Sequence, residues 1–510
     1  MTFRLLFTYG RSRGKTALVF VPIAVALGLH ALSKWNFLQD GAKASRVSHP
    51  LTRRHIQCDL TPYDLTLEHL SSSRHPQDLV TIDPDATRAP RFSFKAFSST
   101  TPSPEAIASH VQVIRPCKES DCIEDDQIVW DSKWILAGRR NGLDITRDHQ
   151  LDGLVPMERL LWRARFGIAG AERSSTVFPC PWSELESFLV GPSREQWEQA
   201  DWICAPNNVE TECDFYDTNG KAAAPLFRTE FELPLRGGNT TIPVAKAVAS
   251  AKLFVAGLGN YEAWINGVQV NRDRYLDPAP SSYDKRIYYN SFDVTDEITQ
   301  SNTTRQVLGF VVGNGWFNPL PMKFWGHLNF REYLPVGTPR VQCILVIEFE
   351  GKSFNPFIIT TSLSSNKGKS SWKTASSALL RNDLYLGNVV DLDRLHWLDG
   401  WSRMGSDSPF VQWHPVEGCS AMSKVAGRPP VLTPQPVPPI RSRLPHQLKA
   451  VSTKMVDNDL VLDMGLNTAA AVRVEIFVPD NWVCSAQEIE LKFGELLLPN
   501  GTVNVYTSVA

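Results

Sequence analysis

This chain has almost no net charge. Its 52 Lys+Arg stand against 54 Asp+Glu over 510 residues, so there is neither a basic stripe for nucleic acid nor an acidic solvating tail. Long helical periodicity is missing after residue 33, which leaves strands as the main element. No Gly-x-x-x-x-Gly-Lys-Ser/Thr pattern occurs, so Gly313-Asn314-Gly315-Trp316 is not a phosphate loop. Cys117-x4-Cys122 lacks a second Cys/His pair at metal spacing, which argues against a zinc site. The 11 His are scattered singly, and no local Ser-His-Asp or Cys-His signature is visible. No cofactor, no metal and no nucleic-acid partner are expected; the oligomeric state stays open.

What is present suits folded β domains. Hydrophobic residues make up 43%, with 15 Trp and 35 Pro, a composition that fits sandwiches with many turns, roughly three domains at about 150 residues each. Tryptophan belongs first to sandwich cores; an exposed one could stack on a sugar. Arg4, Arg11, Arg13 and Lys15 precede an apolar run, Thr16–Leu32. That pattern predicts an N-terminal hydrophobic helix, either a type II membrane anchor or a cleaved signal. Either form sends the residues after about 40 into the secretory lumen. The 9 Cys are compatible with that compartment. Cys117 with Cys122, and Cys204 with Cys213, are close enough for small disulfide loops, and the odd count leaves a thiol over. Glycosylation sequons stand at Asn239, Asn302 and Asn500.

Residues 34–60 are polar and aperiodic, as a stalk would be. Strand signals follow at Ile128–Ser132 and at Leu160–Phe166. The second places Leu161, Arg163 and Arg165 on one face and Trp162, Ala164 and Phe166 on the other. Residues 97–126 and 138–158 look like inserted loops. Leu226–Phe231 alternates as an edge strand would. Residues 427–446 hold seven prolines, an extended linker or strap. Further strand patterns run through Leu460–Asn467, Ala471–Ile476 and Ile489–Leu497.

The most specific stretch is 251–325. It reads AKLFVAGLGNYEAWINGVQV, then LDPAPSSYDKRIYYNSFDVT, then VLGFVVGNGWFNP. Asn266-Gly267 marks a hairpin turn between two β-runs. The order of these pieces resembles the N-terminal β-sandwich of the α-L-rhamnosidases. Ile128–Ser132, Leu160–Phe166 and Trp182-Ser183, in that order, are similar to the fibronectin type III-like module that opens many members, and Trp197–Ile203 resembles the family's hand-over from that module to the next. Asn382-Asp383-Leu384-Tyr385-Leu386-Gly387-Asn388-Val389-Val390-Asp391 resembles the family's Asn-Asp-x-Tyr-x-Gly-Glu-x-Tyr-Asp, with Asn388 replacing Glu and Val390 replacing Tyr. The Asp463-Met464-Gly465-Leu466-Asn467 run is similar to the opening of a concanavalin-like sandwich.

The resemblance implies an all-β chain of tandem sandwiches. Its parts are a basic tail with anchor or signal (1–33), a stalk (34–60), a fibronectin III-like sandwich (61–200), a rhamnosidase N-terminal sandwich (201–420), a Pro-rich linker (421–447) and the start of a concanavalin-like sandwich (448–510). It also implies hydrolysis of terminal α-L-rhamnose from rhamnose-containing glycosides. That reaction needs two carboxyl groups roughly 6.5–9.5 Å apart in an inverting enzyme. In the family both sit in a helical barrel that follows these sandwiches, so no catalytic residue carries over to this sequence. The local pairs Asp391/Asp393, Glu488/Glu490 and Asp293/Asp296 read as solvated or structural. Trp316 and Trp325 are the candidate sugar-stacking residues. The competing reading is a membrane-anchored carbohydrate-binding or structural protein without catalysis.

Overall fold

The computed structural model describes Thr2–Phe7, Ala17–Val21 and most of residues 60–507; the longest stretches left out in between are 71–77, 98–106, 117–126, 137–153, 170–176, 235–247, 364–370, 421–428 and 477–486. The described chain is all-β, with strands throughout and four short α-helices. The expected N-terminal helix is not found among the described residues. The described part of that apolar run, Ala17–Val21, is a strand paired antiparallel with Val472–Ile476, which suits its Val-Phe-Val sequence. No helix among the described residues is long and apolar enough to cross a membrane.

The first sandwich sets the hairpin-like pair Thr61–Leu67 and Phe92–Phe97 against a larger sheet. That sheet runs Thr81–Ile82, Glu186–Val190, Arg159–Ala169, Ile107–Ile114, Ile128–Asp131. Trp162, Ala164 and Phe166 turn inward and are buried, as their alternation predicts. Trp162 meets Phe92 at 4.9 Å between ring centres. Ile107–Ile114 corrects the reading of 97–126 as an inserted loop. It lies between two strands, and its polar residues Ser109, His110 and Gln112 are buried as well as its apolar ones. That removes the alternation by which a half-buried strand is recognised.

The buried polar residues have a reason. His110 Nε2 lies 2.7 Å from Asp131 Oδ1, and Gln112 Nε2 donates to Asp131 Oδ2 at 3.0 Å. Arg165 donates to His110 Nδ1 at 3.2 Å through Nε, which assigns the His110 proton to Nε2. Arg163 donates to Gln112 Oε1. Trp182 stacks under both guanidiniums, 4.5 Å from Arg163 and 4.1 Å from Arg165. Ser183 and Ser132 lock the two flanking segments, each accepting a backbone N–H from the neighbouring strand.

The second sandwich packs two sheets face to face. One runs Glu417–Cys419, Trp202–Cys204, Arg340–Phe349, Val248–Leu258, Arg286–Asp293, Val431–Pro434. The other runs Val268–Gln269, Asn260–Ile265, Arg305–Gly313, Pro225–Glu232, Lys373–Ser376, His414–Pro415. Leu253, Val255, Ala263, Phe310 and Trp372 are among the residues that fill the space between them. The chain passes from one sheet to the other at Gly259, whose φ is 111°. A Cβ there would sit 2.2 Å from the Gly313 carbonyl oxygen, so only glycine fits. Asn266 (φ 50°) and Gly267 (φ 83°) form the expected tight turn. Pro225–Glu232 is not an edge strand; it lies between Arg305–Gly313 and Lys373–Ser376. Of the proline-rich strap, Val431–Pro434 pairs parallel with Arg286–Tyr289, and Ile440–Arg441 pairs with Arg274–Tyr275. Beyond it, Ser452–Val456 and Asp459–Asp463 form a hairpin with Met455, Leu460 and Leu462 exposed.

The disulfide expectation is corrected. Cys204 is bonded to Cys419, with Cα atoms 6.2 Å apart, and Cys213 is free and exposed. The strands carrying Cys204 and Cys419 are antiparallel neighbours, a proximity that spacing along the chain cannot show. Cys117 and Cys122 lie outside the described residues. Peptide mapping of alkylated, unreduced protein should recover Cys204 linked to Cys419 and alkylated Cys213. Replacing both bonded cysteines with Ser should cost about 2–5 kcal/mol in denaturant unfolding; a Cys204–Cys213 peptide would contradict the fold.

The buried network also sets a pH response. Burial would raise the Asp131 carboxyl, but hydrogen bonds from Gln112, the Lys133 N–H and His110 outweigh it and hold it at about 2. Burial lowers the His110 imidazolium below its usual value of 6.5, against the pull of Asp131, with Arg165 and Lys133 adding to the lowering. Both groups therefore stabilise the fold at neutral pH. The His110 contribution is lost as pH falls below 6.5 toward its folded value, and that of Asp131 as pH falls from 3.8 toward about 2. Melting temperature should decline on acidification in both windows, and His110→Gln should remove the upper one only. A profile flat from pH 7 to 4 would rule this out.

Candidate functional site

The loop after strand Arg305–Gly313 carries the aromatic residue proposed to meet sugar. Gly315 (φ 52°) turns the chain against Asn260, where a Cβ would lie 2.3 Å from Asn260 Oδ1. Phe317 then enters the core, against Tyr283 at 5.3 Å. Trp316 stays half-buried, edge-on to Tyr385 at 5.6 Å, and Phe330 lies 6.3 Å from Tyr385 on another side. Trp325 lies outside the described residues, as do Asn239 and Asn302. Asn500 is exposed in a turn where it accepts from Thr502 N and Oγ1.

Polar side chains far along the sequence pin this loop. The Asn314 backbone N–H donates to Asn382 Oδ1, and Asn314 Nδ2 donates to Asn382 O at 2.7 Å. Asn318 Nδ2 donates to Asn314 Oδ1 at 2.8 Å. Arg331 Nη1 bonds Asn318 Oδ1 at 2.8 Å and Pro319 O at 2.7 Å, with its guanidinium 4.5 Å over Phe215. Asp383 accepts three backbone N–H bonds, from Leu320 at 3.0 Å, Tyr385 at 2.7 Å and Leu386 at 2.8 Å. Tyr216 OH donates to Pro321 O. Burial, then the Asp383 charge, raise the Tyr385 phenol, which keeps it a neutral donor at physiological pH.

The carboxylate that anchors this loop, and one of each pair singled out in the sequence, make structural contacts. Asp383 is committed to the backbone. Asp391 caps the helix Leu392–Trp397 by accepting from Asp393 N and Arg394 N. Asp293 accepts from Thr295 N and Oγ1, and Glu490 pairs with Lys492 at 3.0 Å. Trp316 was legible as a candidate from its motif. Asn318, Phe330 and Arg331 were not, because they act only after the loop has closed on residues near 382.

A family model described as the alpha-L-rhamnosidase N-terminal domain matches residues 246–443, the stretch that holds the central strands, the loop and its anchor. Residues 246–443 are thus similar to an alpha-L-rhamnosidase N-terminal domain. An alpha-L-rhamnosidase of Formosa agariphila is 27% identical over 323 residues, covering 63% of this chain and 31% of that protein. One of Alteromonas sp. (strain LOR) is 24% identical over 413 residues, 80% of this chain and 38% of that protein. The chain thus spans about a third of the length of these curated relatives. The fold is similar to that of the solved alpha-L-rhamnosidase from Dictyoglumus thermophilum (TM-score 0.55, 20% identity, 87% of this chain and 42% of that one). It is equally similar to the Streptomyces avermitilis alpha-L-rhamnosidase complexed with L-rhamnose (TM-score 0.56, 16% identity, 87% and 52%).

Asp383→Ala removes the acceptor of three backbone N–H groups, one buried and two partly buried, and should destabilise the sandwich by about 2–3 kcal/mol. Asp383→Asn keeps one carbonyl oxygen and should cost less. Thermal unfolding with Trp emission as the probe measures both; equal, negligible losses would refute the anchoring role.

Proposed function

We propose that this chain serves as the β-sandwich part of an alpha-L-rhamnosidase, in which it supports and positions the hydrolysis of terminal α-L-rhamnose in rhamnosides without supplying the reacting carboxyls. The observation that carries this reading is the match of residues 246–443 to an alpha-L-rhamnosidase N-terminal domain, together with carboxylates that are spent on caps and loop anchors. Proton donation and water activation then belong to a helical barrel, as the resemblance implies. Placement in an oxidising lumen or outside the cell fits the same reading, supported by the Cys204–Cys419 bond and by a second disulfide-bonded residue, Cys180. The second reading is a carbohydrate-binding sandwich that works alone. It is favoured by the half-exposed Trp316–Tyr385 pair, which offers a stacking plane for the C–H face of a sugar.

Purified chain should release no product from a chromogenic α-L-rhamnoside. The matched segment of this chain, exchanged into the Formosa agariphila relative, should preserve rhamnoside hydrolysis. Release by this chain alone, or a folded chimera without activity, would refute the proposal. Rhamnose binding that disappears in Trp316→Ala would favour the second reading.

A further inference from the structure

Of the three glycosylation sequons, Asn500-Gly501-Thr502 is the one that lies among the described residues. An oligosaccharyltransferase reads an asparagine amide together with a hydroxyl two residues on, and needs both on an accessible surface. The chain presents them on a tight turn. Gly501 N donates to Leu498 O at 2.8 Å, Leu498 N donates to Thr502 O at 2.8 Å, and Leu497 bridges Val503. Gly501 holds φ at 91°, a left-handed conformation that glycine adopts freely.

Within the turn the two motif side chains lie side by side. Asn500 Oδ1 accepts from Thr502 Oγ1 at 2.8 Å and from Thr502 N at 3.1 Å. The amide is therefore held by its oxygen, and Nδ2 makes no hydrogen bond among the described residues. Turn chemistry uses the oxygen and modification uses the nitrogen, so the two roles do not compete. The residue between them has no side chain to cover the amide. Asn500 is exposed, and so are Leu496, Leu497 and Leu498 before it. The turn is backed by Val456 of the hairpin, 3.6 Å from where a Gly501 Cβ would lie.

We propose that Asn500 carries an N-linked glycan. Its Nδ2 forms a bond to the anomeric carbon of a lipid-pyrophosphate-linked oligosaccharide. The anomeric C–O bond to phosphate breaks, the lipid pyrophosphate leaves with that electron pair, and Nδ2 gives up one proton. The proposal rests on the luminal placement inferred above from the disulfide-bonded Cys204, Cys419 and Cys180. It does not depend on rhamnoside hydrolysis.

Peptide mapping of the full chain expressed in insect cells tests it, since these cells supply both the transferase and its donor. Peptide N-glycosidase should convert Asn500 to aspartate in the mapped peptide and remove a step of gel mobility. Asn500→Gln and Thr502→Ala should each lose that step, and Thr502→Ser should keep it. The Cys204–Cys419 bond, read in the same map, reports folding and luminal entry for every variant. Protein with this bond formed and Asn500 unmodified overturns the proposal and leaves the luminal placement standing. Protein with Cys204 and Cys419 alkylated as free thiols overturns both. A glycan on Asn500 that survives Thr502→Ala also overturns it, because the sequon is then not what is read.

Discussion

The strand Val248–Leu258 is buried on both faces, and the architecture follows from that. Ala251, Leu253 and Val255 face the second sheet of their own sandwich. Phe254, Ala256 and Leu258 face the other way, into a cluster shared with Leu189 of the first sandwich, Trp197 and Trp202. Fully burying one large apolar side chain is worth about 1.5–3 kcal/mol. A strand apolar on both sides can therefore be stable only if something covers each side. One cover is a sheet and the other is a neighbouring domain. The single charge in its middle, Lys252, is kept because its ammonium bonds Met157 O at 3.0 Å and Glu348 at 3.3 Å.

That constraint explains what could be read from the sequence. Where one face is buried and the other wet, alternation is visible, and Leu161–Phe166 is oriented as its pattern says. Where turn chemistry is local, as at Asn266-Gly267, the residues name the turn. Ile107–Ile114 escapes such reading because its polar residues His110 and Gln112 are held in the interior by partners 19 to 55 positions away. Cys204 escapes it because its bonded partner is 215 residues distant. The N-terminal apolar run shows the opposite failure. Hydropathy alone names no conformation, and the described part of the run, Ala17–Val21, pairs as a strand with Val472–Ile476.

The same logic separates the loop at 313–320 from a catalytic centre. A catalytic carboxylate must be able to exchange a proton with substrate. Asp383 instead faces three backbone N–H donors, none of which can leave without opening the loop. Its motif neighbour Asn382 does similar work with both its side-chain and main-chain oxygens. Asn382-Asp383 was legible as part of a family-like tail, but its partner loop, 68 residues away, was not. The pattern thus records a need for rigidity around Trp316 and Phe317.

Rigidity of this kind costs conformational entropy, which must be met by contacts that persist in the finished protein. Trp316 and Tyr385 are half-buried although the loop beneath them is fully anchored. An aromatic pair held still yet left partly open favours a partner, because ordering has already been met and burial then adds only gain. The substitutions at Asn388 and Val390 lie just beyond the anchor. Val390 packs on the cluster around Leu226 and Leu398, an apolar contact within this sandwich. That contact is internal to the sandwich, and Trp316 and Tyr385 remain half-buried.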